Sequence, residues 1–173
     1  MIPTKQMCKQ LWEDMRLSDN LKQHLTAVAD LSVKIGTALN KKGFSLNLSL
    51  MEAAALLHDI KKGTPHHDAA GAKELETLGF AEISPIVKNH MRLPANFQPE
   101  ITEFTVVFLA DKLFVGSTPV TLEKRYAEKM LAFQGQPIVQ QIIRSQLEMS
   151  LALEKQMKTV LNVDSLLFLL EDL

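Results

Sequence analysis

The sequence predicts an all-α fold, and three observations carry that prediction. The 173 residues include only 7 glycines and 7 prolines, while leucine, alanine, lysine, glutamate, glutamine and methionine are plentiful, a balance that favours helix. Apolar residues recur at helical spacing, as in Leu21, Leu25, Val28, Leu31, Ile35 and Leu39, which would form one stripe of one helix. No segment alternates apolar and polar residues between turn signals, so no sheet is expected. The length suits a single core. With no internal repeat and no linker, the expectation is a single-domain helical bundle spanning 1–173.

The elements follow in order. A short first helix at 5–16 has Leu11, Trp12 and Met15 on its apolar side. Ser18 and Asp19 can cap a second helix at 20–41, with Gly43 as its stop. Ser49-Leu50-Met51-Glu52 reads as a capping box. It would open a third helix that carries Ala53 to Leu57 and then His58-Asp59, and that stops near Gly63-Thr64-Pro65. A fourth helix starts at His66 or His67 and runs to Leu78, closed by Gly79. A fifth spans 81–91 with Pro85 in its first turn, where proline costs no hydrogen bond. A loop at 94–99 leads to a strongly apolar helix at 100–115 that ends at Gly116. Thr121 starts a charged helix to about 133, and Gly135-Gln136-Pro137 breaks it. One long amphipathic helix then covers 137–161, and Asp164 caps a last apolar one.

Composition narrows the function classes. A net charge of −1 gives no electrostatic basis for nucleic-acid binding, although a local pocket for a small anion stays open. The single cysteine, Cys8, excludes a disulfide framework and a thiolate zinc site. No apolar run approaches the ~20 residues that span a bilayer. The stretch Met1-Ile2-Pro3-Thr4-Lys5-Gln6 lacks the apolar centre of a signal peptide. A soluble, cytoplasmic protein is therefore expected.

Ionisable residues stand out on apolar faces. His24 lies on the stripe of Leu21, Leu25, Val28 and Leu31. Met51, Ala54, Ala55 and His58 share a face, as do His67, Ala70, Gly71, Leu75 and Leu78. His90 falls with Ile83, Ile86 and Val87, and Asp111 with Phe104, Val107 and Phe108. Each placement follows from the i, i+3, i+4 geometry of a helix. A buried carboxylate such as Asp111 must be paired or bind a metal. Imidazoles and carboxylates together suit divalent ions.

These residues also resemble a known family. His24, then His58-Asp59, then Asp111, in that order on a helical chain, is similar to the HD-domain superfamily of metal-dependent phosphohydrolases. Leu56-Leu57-His58-Asp59-Ile60-Lys61-Lys62-Gly63 resembles its signature segment. His67-Asp68-Ala69-Ala70-Gly71-Ala72, Val87-Lys88-Asn89-His90-Met91 and Ala110-Asp111-Lys112-Leu113 resemble its later motifs. The likeness covers about 20–130 and implies an HD-type core there, with additional C-terminal helices at about 136–173. The segment from Asp111-Lys112-Leu113 to Val120-Thr121-Leu122-Glu123-Lys124-Arg125-Tyr126 also resembles bacterial HD domains fused to molybdopterin-guanine-type nucleotidyltransferases. This chain has no glycine-rich phosphate loop of that kind.

The resemblance implies a site residue by residue. His24, His58, Asp59 and Asp111 would bind a first metal. His67 and His90 would bind a second, with Asp59 bridging. Lys62 would face the substrate phosphate, and Arg92 and Lys112 are further substrate-binding candidates. Asp59 and Lys62 are the catalytic candidates. His66 is assigned to the rim or surface, with a swap for His67 as the alternative, and Asp68 reads as a helix N-terminal charge, with a general acid or base role as the alternative. The cofactor would be one or two divalent ions, with Fe, Mn, Zn, Mg, Ni and Co all compatible with such ligands. The implied activity is hydrolysis of a nucleotide or related phosphate by metal-activated water. A regulatory HD domain that binds without turnover is the alternative. The C-terminal helices, including Leu166-Leu167-Phe168-Leu169-Leu170, are a candidate homodimer surface.

Overall fold

The computed structural model describes residues 1–171. Among them the chain forms eight α-helices, one two-stranded hairpin and a 3-10 helix. Thr4 caps α1 (Lys5–Asp14) by accepting from the Met7 amide, and Ser18 caps α2 (Asp19–Lys41) through the Leu21 amide. Such caps contribute about 1 kcal/mol each. The apolar stripe of α2 packs mainly against α3 (Leu48–Leu57) and α6 (Glu103–Lys112). Gly36 allows the close approach to α3, since a Cβ there would stand 2.8 Å from the Leu48 and Met51 side chains.

The start of α3 corrects the sequence reading. Asn47, not Ser49, caps it, accepting from the Leu50 amide at 3.0 Å. Glu52 closes no capping box. It pairs instead with Lys5 at 2.9 Å and so joins α3 to α1. The helix ends at Leu57, so His58 and Asp59 sit in the turn just beyond it. The indole of Trp12 donates to the Leu56 carbonyl at 2.8 Å. That bond satisfies one of the orphan carbonyls of the helix end and fixes α1 beneath the His58-Asp59 turn.

Next come α4 (His67–Thr77) and α5 (Ser84–Asn89), packed against each other. Ala81 to Ile83 form a turn rather than the first residues of α5. Thr102 and Thr105 make a capping box that delays α6 until Glu103. From Thr105 to Lys112 every residue of α6 is buried, as expected of a helix surrounded by others. The chain then leaves the helix. Phe114–Val115 (β1) pairs antiparallel with Thr118–Pro119 (β2). Gly116 therefore belongs to the hairpin turn, at φ 57, and does not stop a helix. The expectation of no strand at all fails here, because strands of two residues leave no alternation to read.

Thr121 caps α7 (Leu122–Ala132), which packs on α8 (Pro137–Leu161). Ser165 rather than Asp164 caps the closing 3-10 helix (Leu166–Leu170). Leu166 is fully buried, and this helix packs on α2 and α8. One apolar core runs from Cys8 to Leu166. No helix among the described residues is long and apolar enough to cross a membrane.

Candidate metal centre

Five helices deliver side chains to one buried point. His24 comes from the first half of α2, and His58 and Asp59 from the turn after α3. His67 opens α4, His90 ends α5, and Asp111 lies in the last turn of α6. Their rings form a chain, with centroids 5.2 Å apart for His24–His58, 4.9 Å for His58–His90 and 5.5 Å for His67–His90.

Three of the imidazoles are oriented by the backbone. His24 Nδ1 faces the Gly116 carbonyl at 2.8 Å, His58 Nδ1 faces Ala55 at 2.8 Å, and His90 Nδ1 faces Val87 at 2.6 Å. A carbonyl oxygen can only accept, so each ring carries its proton on Nδ1 and presents a lone pair at Nε2. Those lone pairs converge. His24 Nε2 and His58 Nε2 are 3.3 Å apart. Asp111 Oδ1 lies 3.2 Å from His24 Nε2 and 3.5 Å from His58 Nε2. Asp59 Oδ2 lies 3.8 Å and 3.6 Å from the same two nitrogens. The other oxygen of Asp59 points elsewhere: Oδ1 is 3.1 Å from His67 Nε2 and 3.4 Å from His90 Nε2. One carboxylate thus faces two separate pairs of imidazoles.

The donor set fits divalent metal. Two lone pairs held face to face repel, and a cation between them reverses the sign of that interaction. Ligands at about 2.0–2.1 Å from an ion stand about 2.8–3.4 Å apart at octahedral or tetrahedral angles, close to the separations around His24, His58 and Asp111. The ligand atoms of His24, His58 and Asp59 all lie within 4.8 Å of one another, as do those of Asp59, His67 and His90. His67 Nε2 and His90 Nε2 are buried without a hydrogen-bond partner, a cost of about 1–3 kcal/mol for each such polar atom left unsatisfied.

The carboxylates are held in their charged form. Burial alone would push Asp59 up, but the neighbouring His90 and His58 rings and the Lys62 ammonium hold it well below the usual range. Asp111 is likewise buried yet held low, first by Lys112 and then by His24 and His58.

The basic candidates separate. Lys62 Nζ sits 2.5 Å from Asp59 Oδ2 while its side chain stays 52% exposed, so it borders both the cluster and solvent. Lys112 is 2% exposed. It donates to Asp111 Oδ2 at 2.5 Å and to the His90 carbonyl at 3.1 Å, and it lies over the Phe108 ring. This corrects its assignment as a substrate-binding residue: it is an internal counter-charge that positions Asp111 and the end of α5. Arg92 is exposed in the turn beyond His90, with no ion pair among the described residues. His66 is exposed and left-handed at φ 50, and Asp68 is the acidic residue in the first turn of α4. The Gly116 carbonyl that orients His24 was missed from sequence, since its hairpin gave no signal.

The profile of the HD domain family matches residues 21–115. An uncharacterised protein of Methanocaldococcus jannaschii is 28% identical over 146 residues, 73% of this chain and 85% of that protein. A tRNA (cytidine(56)-2'-O)-methyltransferase of Thermoplasma volcanium is 30% identical over 140 residues, 71% of this chain and 40% of that enzyme. The chain thus spans less than half of the methyltransferase, whose named activity is a property of that whole protein. No solved structure gives a significant match.

Proposed function

The chain belongs to the HD-domain family, and on that footing we propose that it is a metal-dependent phosphohydrolase, a phosphomonoesterase or phosphodiesterase acting on a nucleotide or related phosphate. The observation that carries this reading is the division of Asp59, with Oδ2 toward His24 and His58 and Oδ1 toward His67 and His90. His24, His58, Asp59 and Asp111 would hold one ion. Asp59, His67 and His90 would hold a second. Ions so held would lower the pKa of bound water and would counter the charge of the phosphoryl oxygens.

The other residues have their own tasks. Lys62 is exposed enough to meet a phosphoryl oxygen and close enough to Asp59 to stay oriented. Its ammonium offsets the negative charge that grows on those oxygens in the transition state. Lys112 offsets the charge of Asp111 and leaves Oδ1 free for the imidazole side. The Nδ1 bonds to Gly116, Ala55 and Val87 keep three Nε2 atoms aimed inward without rearrangement, the kind of outer support that raises metal affinity.

The test is direct. Purified protein should contain divalent metal and release phosphate from an aryl phosphate or a member of a nucleotide panel, and EDTA should abolish the release. Metal-loaded protein that hydrolyses nothing in that set contradicts the proposal. Metal and nucleotide binding without turnover would instead favour a regulatory HD domain.

A further inference from the structure

A second feature lies one residue along the chain from the cluster. Met91 and Arg92 continue the chain directly from His90 and form one wall of a cleft of about 330 Å³, faced by Tyr126 and Lys129 of α7 and Ile143 of α8. The walls are braced. Gln146 accepts from the Leu93 amide and donates to the Leu93 carbonyl, both at 2.9 Å. The Tyr126 hydroxyl bonds Ser150 at 2.9 Å. Lys112 holds the His90 carbonyl from the cluster side. The cleft therefore begins one residue past a candidate metal ligand, on backbone fixed at both ends.

Its charge is unbalanced. Lys129 Nζ stands 5.6 Å over the Tyr126 ring, and among the described residues it has no ion pair or hydrogen bond. Burial pushes its ammonium down to about 8. Lys112, Arg125 and Lys62 push the same way, while Asp111 opposes them. Lys129 thus shares one electrostatic neighbourhood with the metal cluster. Arg125 Nε, one turn earlier on α7, is buried without a hydrogen-bond partner. Arg92, which also lines the cleft, has no ion pair among the described residues either. Cations gathered in a half-buried, apolar-walled space repel one another, and an anion there is drawn in more strongly than in water.

We propose that this cleft receives the organic part of the substrate and that Lys129 makes it selective for a phosphoester whose apolar, aryl-like group carries a second negative charge. Tyr126 and Ile143 supply the apolar surface, and Arg92, which also lines the cleft, is a second cation for the same anion. This inference rests on the phosphohydrolase reading for the position of the phosphoryl group, but its test does not depend on turnover.

Calorimetry on metal-loaded protein would compare three probes that are not hydrolysed: phenylphosphonate, 4-carboxyphenylphosphonate and inorganic phosphate. The carboxylated probe should bind about tenfold more tightly than phenylphosphonate, a difference of about 1.4 kcal/mol. Phenylphosphonate should in turn bind more tightly than inorganic phosphate. Lys129→Gln should erase the carboxylate preference while changing affinity for inorganic phosphate far less, and Lys129→Arg should restore the preference. A wild-type protein without the preference overturns the proposal, as does Lys129→Gln retaining it or losing all three probes together. Failure to bind any probe overturns it too. The expected pattern in a protein that hydrolyses no ester supports this subsite and sinks the phosphohydrolase reading alone. Hydrolysis without the pattern does the reverse.

Discussion

The two histidine groups on either side of Asp59 are built differently. His24 and His58 are each oriented through Nδ1 by a backbone carbonyl and are almost wholly buried, with Asp111 within reach of both. On the other side His90 is equally well anchored, but His67 is not. Its side chain is 21% exposed, and it follows the left-handed His66 at the first position of α4. The contrast is one of preorganisation. The first group needs little ordering to receive an ion, whereas the second must restrain one ring as the ion arrives. The first position should therefore have the higher metal affinity.

Mutations can break or sharpen that contrast. Among variants that spare the shared Asp59, the largest effect should come from Asp111→Ala, which removes the carboxylate facing both anchored imidazoles and strands the buried Lys112. Metal affinity at the stronger position should fall by at least about a hundredfold, with about 3–5 kcal/mol lost in stability. Calorimetric metal titration and denaturant unfolding read the two, and unchanged affinity would remove Asp111 from the ligand set. Lys112→Met should come next. It leaves Asp111 without its counter-charge at a cost of about 3 kcal/mol, while the number of metals bound at saturation stays the same. A lost ion would mean that Lys112 acts on the metals rather than on Asp111.

His67→Ala should weaken only the second ion, by about tenfold, and leave the first untouched in the same titration. Equal weakening of both would erase the difference between the groups. The smallest effect belongs to His66→Gly. A left-handed non-glycine residue costs about 1 kcal/mol, so this change should raise the unfolding midpoint slightly and leave metal content as it was. Lost metal would move His66 from the surface into the site.

Much of this centre could be read from the chain. Helical spacing alone put His24, His58, His90 and Asp111 on apolar faces, because a polar side chain among leucines and valines contrasts with its neighbours. Lys112 was misread for the same reason. It lies about 100° around the helix from Asp111, and a helix with one buried face would have turned it to solvent. Only the burial of α6 on all sides brings it inside. The cap of α3 was misplaced because Asn47 and Ser49 are both good caps and the pattern does not choose between them. The hairpin whose turn carbonyl orients His24 was hidden, since its strands are two residues each. The nearness of the Lys112, Arg125 and Lys129 charges depends on how α6 and α7 each pack on α8, and no linear spacing records that.

The most direct test of the central claim is the metal stoichiometry of three variants set beside wild type, measured by elemental analysis and titration on folded protein. Asp59 is the one residue whose two oxygens face both groups, so Asp59→Ala should lose both ions and all hydrolysis. His67→Ala and His90→Ala should each keep the ion held with His24 and His58. Equal losses in all three variants would contradict the bridging role of Asp59 and the division of the site that follows from it.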